Sequence, residues 1–175
     1  MLDKWDHRFL TLARHVAGWS KDPSTKCGAV IADIEHRIVS IGFNGFPMGI
    51  EDDPLFLANR EAKYERMIHA EMNALLFMSS RGEGRTLYTV PFLSCARCAV
   101  HVIQAGIAMV VAPPCRIPRW QESIELSKIL FAEAGVGVLE VEPEDGIQTS
   151  KQDETEYETP GSARRSGRAF SPRGA

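Results

Sequence analysis

The second half of the chain alternates between two kinds of apolar spacing, and this alternation restricts the fold more than any other feature. Residues 86–90 (TLYTV) form a short β-branched and aromatic run, followed by helical spacing over 95–104 (CARCAVHVIQ). A second apolar run, IAMVV at 107–111, leads into a helical stretch over 119–134, and VGVLEV at 136–141 closes the series. Strands separated by helices must return along the same direction, so this half predicts parallel strands with helices packed on them.

The first half is organised differently. Trp5, Phe9, Leu12, Val16 and Trp19 recur at steps of four and three, predicting an amphipathic helix over 3–19. The runs 28–33 (GAVIAD) and 38–43 (IVSIGF) flank a short polar turn and predict a hairpin of two largely buried strands. Residues 44–53 (NGFPMGIEDD) are glycine-rich and polar and read as a loop. From Pro54, PLFLANREAKYERM predicts a charged, mostly exposed helix, and another helix runs from about His69 to Ser80, stopped by Arg81-Gly82-Glu83-Gly84. Together the two halves predict an α/β fold: a three-layer α/β/α sandwich around a mixed sheet of about five strands.

With 175 residues, 44% of them hydrophobic, the chain can bury one core, assigned to residues 1–147. From Gln148 onward almost no apolar residues remain; burial cannot offset ordering entropy there, so 148–175 is expected to be a disordered charged tail. That tail holds five basic and four acidic residues, so the net charge of −3 for the whole chain leaves −4 on residues 1–147. Such a balance gives no case for nucleic-acid or anionic-membrane binding. No run approaches the ~20 apolar residues of a membrane span, and no signal peptide is visible at the N-terminus; a cytoplasmic protein is expected.

Four cysteines, Cys27, Cys95, Cys98 and Cys115, are too few and too unevenly spaced for a disulfide scaffold. Cys95 and Cys98 stand three apart at a helix start, so both sulfurs face one way. The backbone amides and dipole of that helix favour the thiolates that a metal requires. A structural zinc takes four protein ligands, but no second CxxC is present. His69 can supply a third ligand, leaving a position open to water, which is the catalytic arrangement. Glu71 then becomes informative. Two positions apart in a helix body, His69 and Glu71 would point to opposite faces; only the first turn lets both serve one centre. A carboxylate beside activated water can take its proton and pass it to a leaving group. A thioredoxin-type redox pair would explain CxxC but leave His-x-Glu without a role. His7, His15, His36 and His101 have no ligand partner by spacing; Cys27 reads as a small buried residue and Cys115 as part of a proline-rich turn.

With His-x-Glu followed by a strand and CxxC, the chain resembles the zinc-dependent cytidine deaminase superfamily, whose signature this is. It is similar above all to deoxycytidylate (dCMP) deaminases, through SKDPSTKCGAVI (20–31), GFNGFPMG (42–49), HAEMNALL (69–76), TLYTV and CARCA within 86–99, IQAGI (103–107) and FAEAGV (131–136). The resemblance covers roughly residues 1–141 and implies a cytidine deaminase-like fold. It implies one zinc per chain on His69, Cys95 and Cys98, with Glu71 as proton shuttle in the hydrolysis of dCMP to dUMP and ammonia. It further implies that Asn44 and the main chain of Ala70 contact sugar and base, and that Lys26 and Ser24 lie near the 5′-phosphate. A homo-oligomer, often a hexamer in this branch, and dCTP and dTTP as effectors acting through residues 44–49 are implied as well. Two other readings remain. One keeps the chemistry but changes the substrate to cytidine, cytosine, a 5-modified dCMP or a tRNA adenosine; the other is a non-catalytic zinc-stabilised module, which has no need of Glu71. Where family members usually carry proline directly before the first cysteine, this chain has Ser94, with Pro91 three residues earlier, so a difference is expected at the base pocket and not at the metal.

Overall fold

The computed structural model describes residues 3–142, so the charged tail expected from 148 onward lies outside the described residues. The elements run α1 (Lys4–Ala17), β1 (Gly28–Ala32), β2 (Ile38–Phe43), α2 (Pro54–Ala58), α3 (Arg60–Arg66), α4 (Ala70–Leu76), β3 (Thr86–Val90), α5 (Ala96–Gln104), β4 (Met109–Ala112), α6 (Pro118–Glu133) and β5 (Gly137–Glu140). The five strands form one sheet in the order β2-β1-β3-β4-β5. β1 pairs antiparallel with both β2 and β3, whereas β3, β4 and β5 run parallel, as the helical crossovers require.

Side chains alternate between the two faces of this sheet and divide the core in two. Ala29, Ile31, Leu87, Val110 and Ala112 face α4, α5 and α6, where Ala70, Ala74, Ala99, Val102, Ile124 and Phe131 complete one buried cluster. Val30, Ala32, Tyr88, Val90 and Val111 face the other way, against Phe9, Leu10, Ala13 and Ala17 of α1. Helices thus cover both faces, and the three-layer sandwich with a mixed five-stranded sheet is the observed architecture. Among the described residues no helix is long and apolar enough to cross a membrane.

Four local expectations need correction. β2 is an edge strand with only Ser40 and Gly42 buried, because it has a neighbour on one side only. The segment from Pro54 is two short helices broken at Asn59, whose side chain accepts the Ala62 amide and restarts the helix; it also buries Lys63. The helix expected over 69–80 ends at Leu76. Trp19 lies beyond the end of α1, 49% exposed and edge-on to Phe43, because the buried face of the helix is centred on Ala13 instead.

The sheet brings three chain ends together. Gly28 pairs with Phe43 on one side and with Val90 on the other. The segment preceding β1, the loop after β2 and the loop after β3 therefore leave the same edge of the sheet side by side. Gly42 seats the helix above them: a Cβ there would overlap the Ala70 carbonyl and the Ala74 amide of α4. Ser40 Oγ donates to the Ala74 carbonyl at 2.7 Å and Asn73 Nδ2 to the Phe43 carbonyl at 2.7 Å, fixing α4 along β2. Gly42→Ala should therefore push α4 off the sheet, costing about 3 kcal/mol or more. Denaturant unfolding checks the cost, and elemental analysis should show zinc lost in the same variant, since His69 moves with α4.

Candidate active site

Two helix starts meet where those chain ends converge. Ile68 and Gly45 exchange backbone hydrogen bonds of 2.9 and 3.1 Å, which delivers the chain to α4 with His69 as its N-cap in extended conformation. Glu71 follows inside the first turn, so the two side chains share a centre although they stand two apart. After β3 the chain passes a cis Val90–Pro91 peptide and reaches α5, whose N-cap is Cys95, with Cys98 one turn on. The Ala96 amide donates to Ser123 Oγ of α6 at 3.1 Å, tying this helix start to its neighbour.

His69 Nδ1 lies 3.5 Å from Cys95 Sγ and 3.3 Å from Cys98 Sγ, and the three donor atoms all lie within 4.8 Å of one another. A tetrahedral zinc with bonds of roughly 2.0 Å to nitrogen and 2.3 Å to sulfur spaces those atoms about 3.6 Å apart. The donor set and its spacing fit zinc. Both cysteines are buried, and the three ligands leave room for one more on the cavity side, where Glu71, His69 and Cys95 line the wall.

The electrostatics are those of a buried ligand set. The Cys95 thiol is held far below its usual range, first by the hydrogen bond from Cys98 and then by His69. Cys98, which shares its proton with that thiolate, is pushed up correspondingly. His69 is raised, chiefly by its bond to Cys95. Glu71, 6% exposed, is raised by burial, with His69 opposing the shift.

The cavity at these residues is lined by aromatic and polar side chains. Trp120 at the start of α6 packs against Phe92, with ring centroids 5.9 Å apart, and meets Tyr64 of α3 edge-on at 6.3 Å. The Arg60 guanidinium lies 5.3 Å over the Tyr64 ring. Asp22, Ser24, Thr25, Asn44 and Lys63 line the same cavity. Asn44 Oδ1 accepts the Cys27 amide at 2.7 Å, and its Nδ2 donates to the Thr25 carbonyl at 2.9 Å, so its amide braces the segment before β1.

Of the residues singled out from sequence, His69, Glu71, Cys95, Ser24 and Asn44 line this one cavity, Cys98 lies with the ligand set and Ala70 is buried at the start of α4. Lys26 is exposed and not among the lining residues. Cys27, read as a small buried residue, is half-buried and lines the cavity as well. Sequence reasoning missed Asp22, Lys63, Arg60, Arg119, Phe92, Trp120 and Tyr64. The aromatic character of KYERM and RWQES was visible, but nothing in their spacing marks them as lining a site. Ser94 is fully buried.

A metal-binding His/Cys/Cys set with a buried carboxylate, set in a three-layer α/β sandwich, defines a zinc-dependent hydrolytic deaminase. Residues 3–113 match the family model for the cytidine and deoxycytidylate deaminase zinc-binding region, and the chain belongs to that family. It is similar to an uncharacterised deaminase of Aliivibrio fischeri from the region 3′ of luxG, 44% identical over 141 residues, covering 79% of this chain and 94% of the relative. Human deoxycytidylate deaminase is 36% identical over 141 residues, covering 76% of this chain and 77% of the relative. Among solved structures, the dCMP deaminase of cyanophage S-TIM5 in complex with dCMP and dUMP shares the fold, with a TM-score of 0.64 at 23% identity over 81% of this chain and 99% of the other.

Two tests address the ligand set and the carboxylate. Cys98→Ser should abolish stoichiometric zinc, read by elemental analysis, and bound zinc in the wild type should be released as acid protonates the thiolates. Glu71 binds its proton more tightly folded than unfolded, so its contribution to stability is lost as pH rises from the ordinary glutamate range through its raised value. In metal-free protein, Glu71→Gln, which mimics the protonated acid, should melt higher than wild type at pH 7. The difference should vanish below the ordinary glutamate range, where both side chains are uncharged.

Proposed function

We propose that the protein deaminates dCMP to dUMP by zinc-dependent hydrolysis, releasing ammonia. The observation that carries this reading is the convergence of His69, Cys95 and Glu71 on one cavity that is also lined by cations and hydroxyls, among them Lys63, Ser24 and Thr25. Deoxycytidylate deaminases among the chain's relatives support the choice of dCMP.

His69, Cys95 and Cys98 are the residues that would hold the metal. Zinc bound there supplies a Lewis acid that activates water in its open position. Glu71, buried at the cavity floor, takes the proton from the attacking water and delivers it to N3 of cytosine. Its raised affinity for a proton, caused by burial, suits a group that must accept and return one. Addition at C4 makes that carbon tetrahedral. The C4 hydroxyl then gives its proton to Glu71, which passes it to the amino group; the C4–N bond breaks, ammonia leaves, and the C4–O double bond of uracil forms. The main chain of Ala70, at the first position of α4, is assigned to the pyrimidine edge. Asn44 holds the sugar side of the cavity, both by its place in the wall and through the segment it braces. Phe92 and Trp120, their rings tilted 35° to one another, supply an aromatic surface for the base.

The finer aspects of the reading rest on the same resemblance. A homo-oligomer, with the hexamer of the dCMP branch as the expected state, is supported by Leu76 and Phe77, 64% and 67% exposed at the end of α4. The glycine-rich loop 44–49, with Gly49 at φ 86°, is where dCTP and dTTP would be read as effectors. The four free cysteines fit the reducing cytoplasm.

Zinc-loaded protein incubated with dCMP, CMP, deoxycytidine and cytosine should release ammonia fastest from dCMP; turnover of the free nucleoside without dCMP turnover sinks the proposal. Glu71→Gln should retain its zinc while losing about 10²–10⁴-fold in turnover. Undiminished activity in that variant would remove Glu71 from its role.

A further inference from the structure

A lysine is among the residues least often buried, and then only with a partner. Lys63 in α3 is 4% exposed and lines the active cavity. Its ammonium donates to Asp22 Oδ1 at 2.8 Å and to Ser24 Oγ at 2.9 Å. An ammonium has three N–H donors, and the third finds no acceptor among the described residues.

Asp22 is engaged within the protein. Besides Lys63 its carboxylate accepts the amides of Ser24 at 2.8 Å and Thr25 at 3.3 Å, and Asn44 Nδ2 at 3.3 Å. It orders the segment before β1 and neutralises Lys63, with three of these contacts on Oδ1 and the Asn44 contact on Oδ2. Ser24 is different. Its oxygen already accepts from Lys63, so its own proton is available to donate. The same pattern recurs one residue on, where Arg119 donates to Thr25 Oγ1 at 3.2 Å and leaves the threonine proton to give. Two consecutive hydroxyls, each backed by a cation, thus face the same cavity. Donors arranged this way call for an anionic oxygen.

We propose that Lys63 is a specificity-determining residue: with the Ser24 hydroxyl that it polarises, it binds the phosphate of a nucleoside monophosphate and so selects dCMP over the free nucleoside. This rests on the reading of the chain as a dCMP deaminase and gives Lys63 the role that sequence resemblance had suggested for Lys26, which stands exposed outside the cavity lining. Selection follows from satisfaction of donors. A phosphate oxygen accepts the third N–H of Lys63, whereas a neutral nucleoside leaves that buried donor unpaired, at a free-energy cost that falls only on the wrong substrate.

Removing Lys63 alone would strand the buried Asp22 charge and threaten the fold, so the test is the double variant Lys63→Met/Asp22→Asn, with Ser24→Ala as a milder second probe. Steady-state kinetics on dCMP and deoxycytidine are measured on the zinc-loaded full chain, with zinc content and thermal melting as controls. In the double variant KM for dCMP should rise about ten-fold or more with kcat changed far less, and the preference for dCMP over deoxycytidine should fall by a similar factor. Ser24→Ala should shift KM in the same direction by a few-fold. Inorganic phosphate should compete with dCMP in the wild type and only weakly in the double variant. A folded, zinc-replete double variant that keeps the wild-type preference overturns the inference, leaving a purely structural ion pair. Should the double variant fail to fold, an unchanged KM in Ser24→Ala overturns it instead. Wild-type protein that deaminates deoxycytidine but not dCMP overturns the dCMP reading itself, and that result is in hand before any variant is made.

Discussion

The double pairing of β1 is the constraint on which the site depends. Gly28 faces Phe43 on one side and Val90 on the other, so the register of one short strand decides which chain ends are neighbours. A slip of one residue would turn Ala29 and Ile31 out of their core cluster and expose them to the wrong layer. Because both faces of the sheet are buried, that slip is expensive, and the placement of residues 22–27, 44–45 and 91–95 follows from core packing. Chemistry and stability are thereby coupled: the interactions that seat α4 on β2 also hold the imidazole where the thiolates can meet it.

Over that end of the sheet the protein concentrates buried charge. Glu71 sits under desolvation that raises its proton affinity, and Lys63 is nearly inaccessible beside Asp22. The two cases are handled differently. The Lys63–Asp22 pair is neutral as a unit and its carboxylate also accepts two amides and Asn44, so its cost is offset in part by hydrogen bonds. Glu71 has the imidazole of His69 to counter its charge but keeps a destabilising remainder. That remainder suits a group that carries a proton between water and substrate, as strained or desolvated groups at active sites commonly do.

Much of this was legible in the sequence because it is local. Strand and helix periodicity marked every strand and the helices α1, α5 and α6, and the alternation over 86–141 required the parallel half of the sheet. His69, Glu71, Cys95 and Cys98 declared themselves through spacing, since ligands drawn from two helix starts recur at fixed offsets. The break at Asn59 went unread: an N-cap asparagine restarts a helix within an unbroken charged stretch, and only the local backbone distinguishes the two outcomes. Lys63 went unread for a stronger reason. A lysine on a charged helix is a solvated lysine on composition, and its burial depends on a partner 41 residues away.

The sequence by itself determined the chemistry: a histidine, two thiolates and a carboxylate at helix starts define a metal centre wherever the chain places them, because ligand identity and helical phase are properties of short segments. Only the tertiary structure decided what surrounds that centre. That Lys63 and not Lys26 lines the cavity, and that Trp120 packs against Phe92, depends on contacts between α3, α6 and the segment before β1. Those contacts join residues far apart in the chain and are set by packing and register, for which no short-range pattern exists.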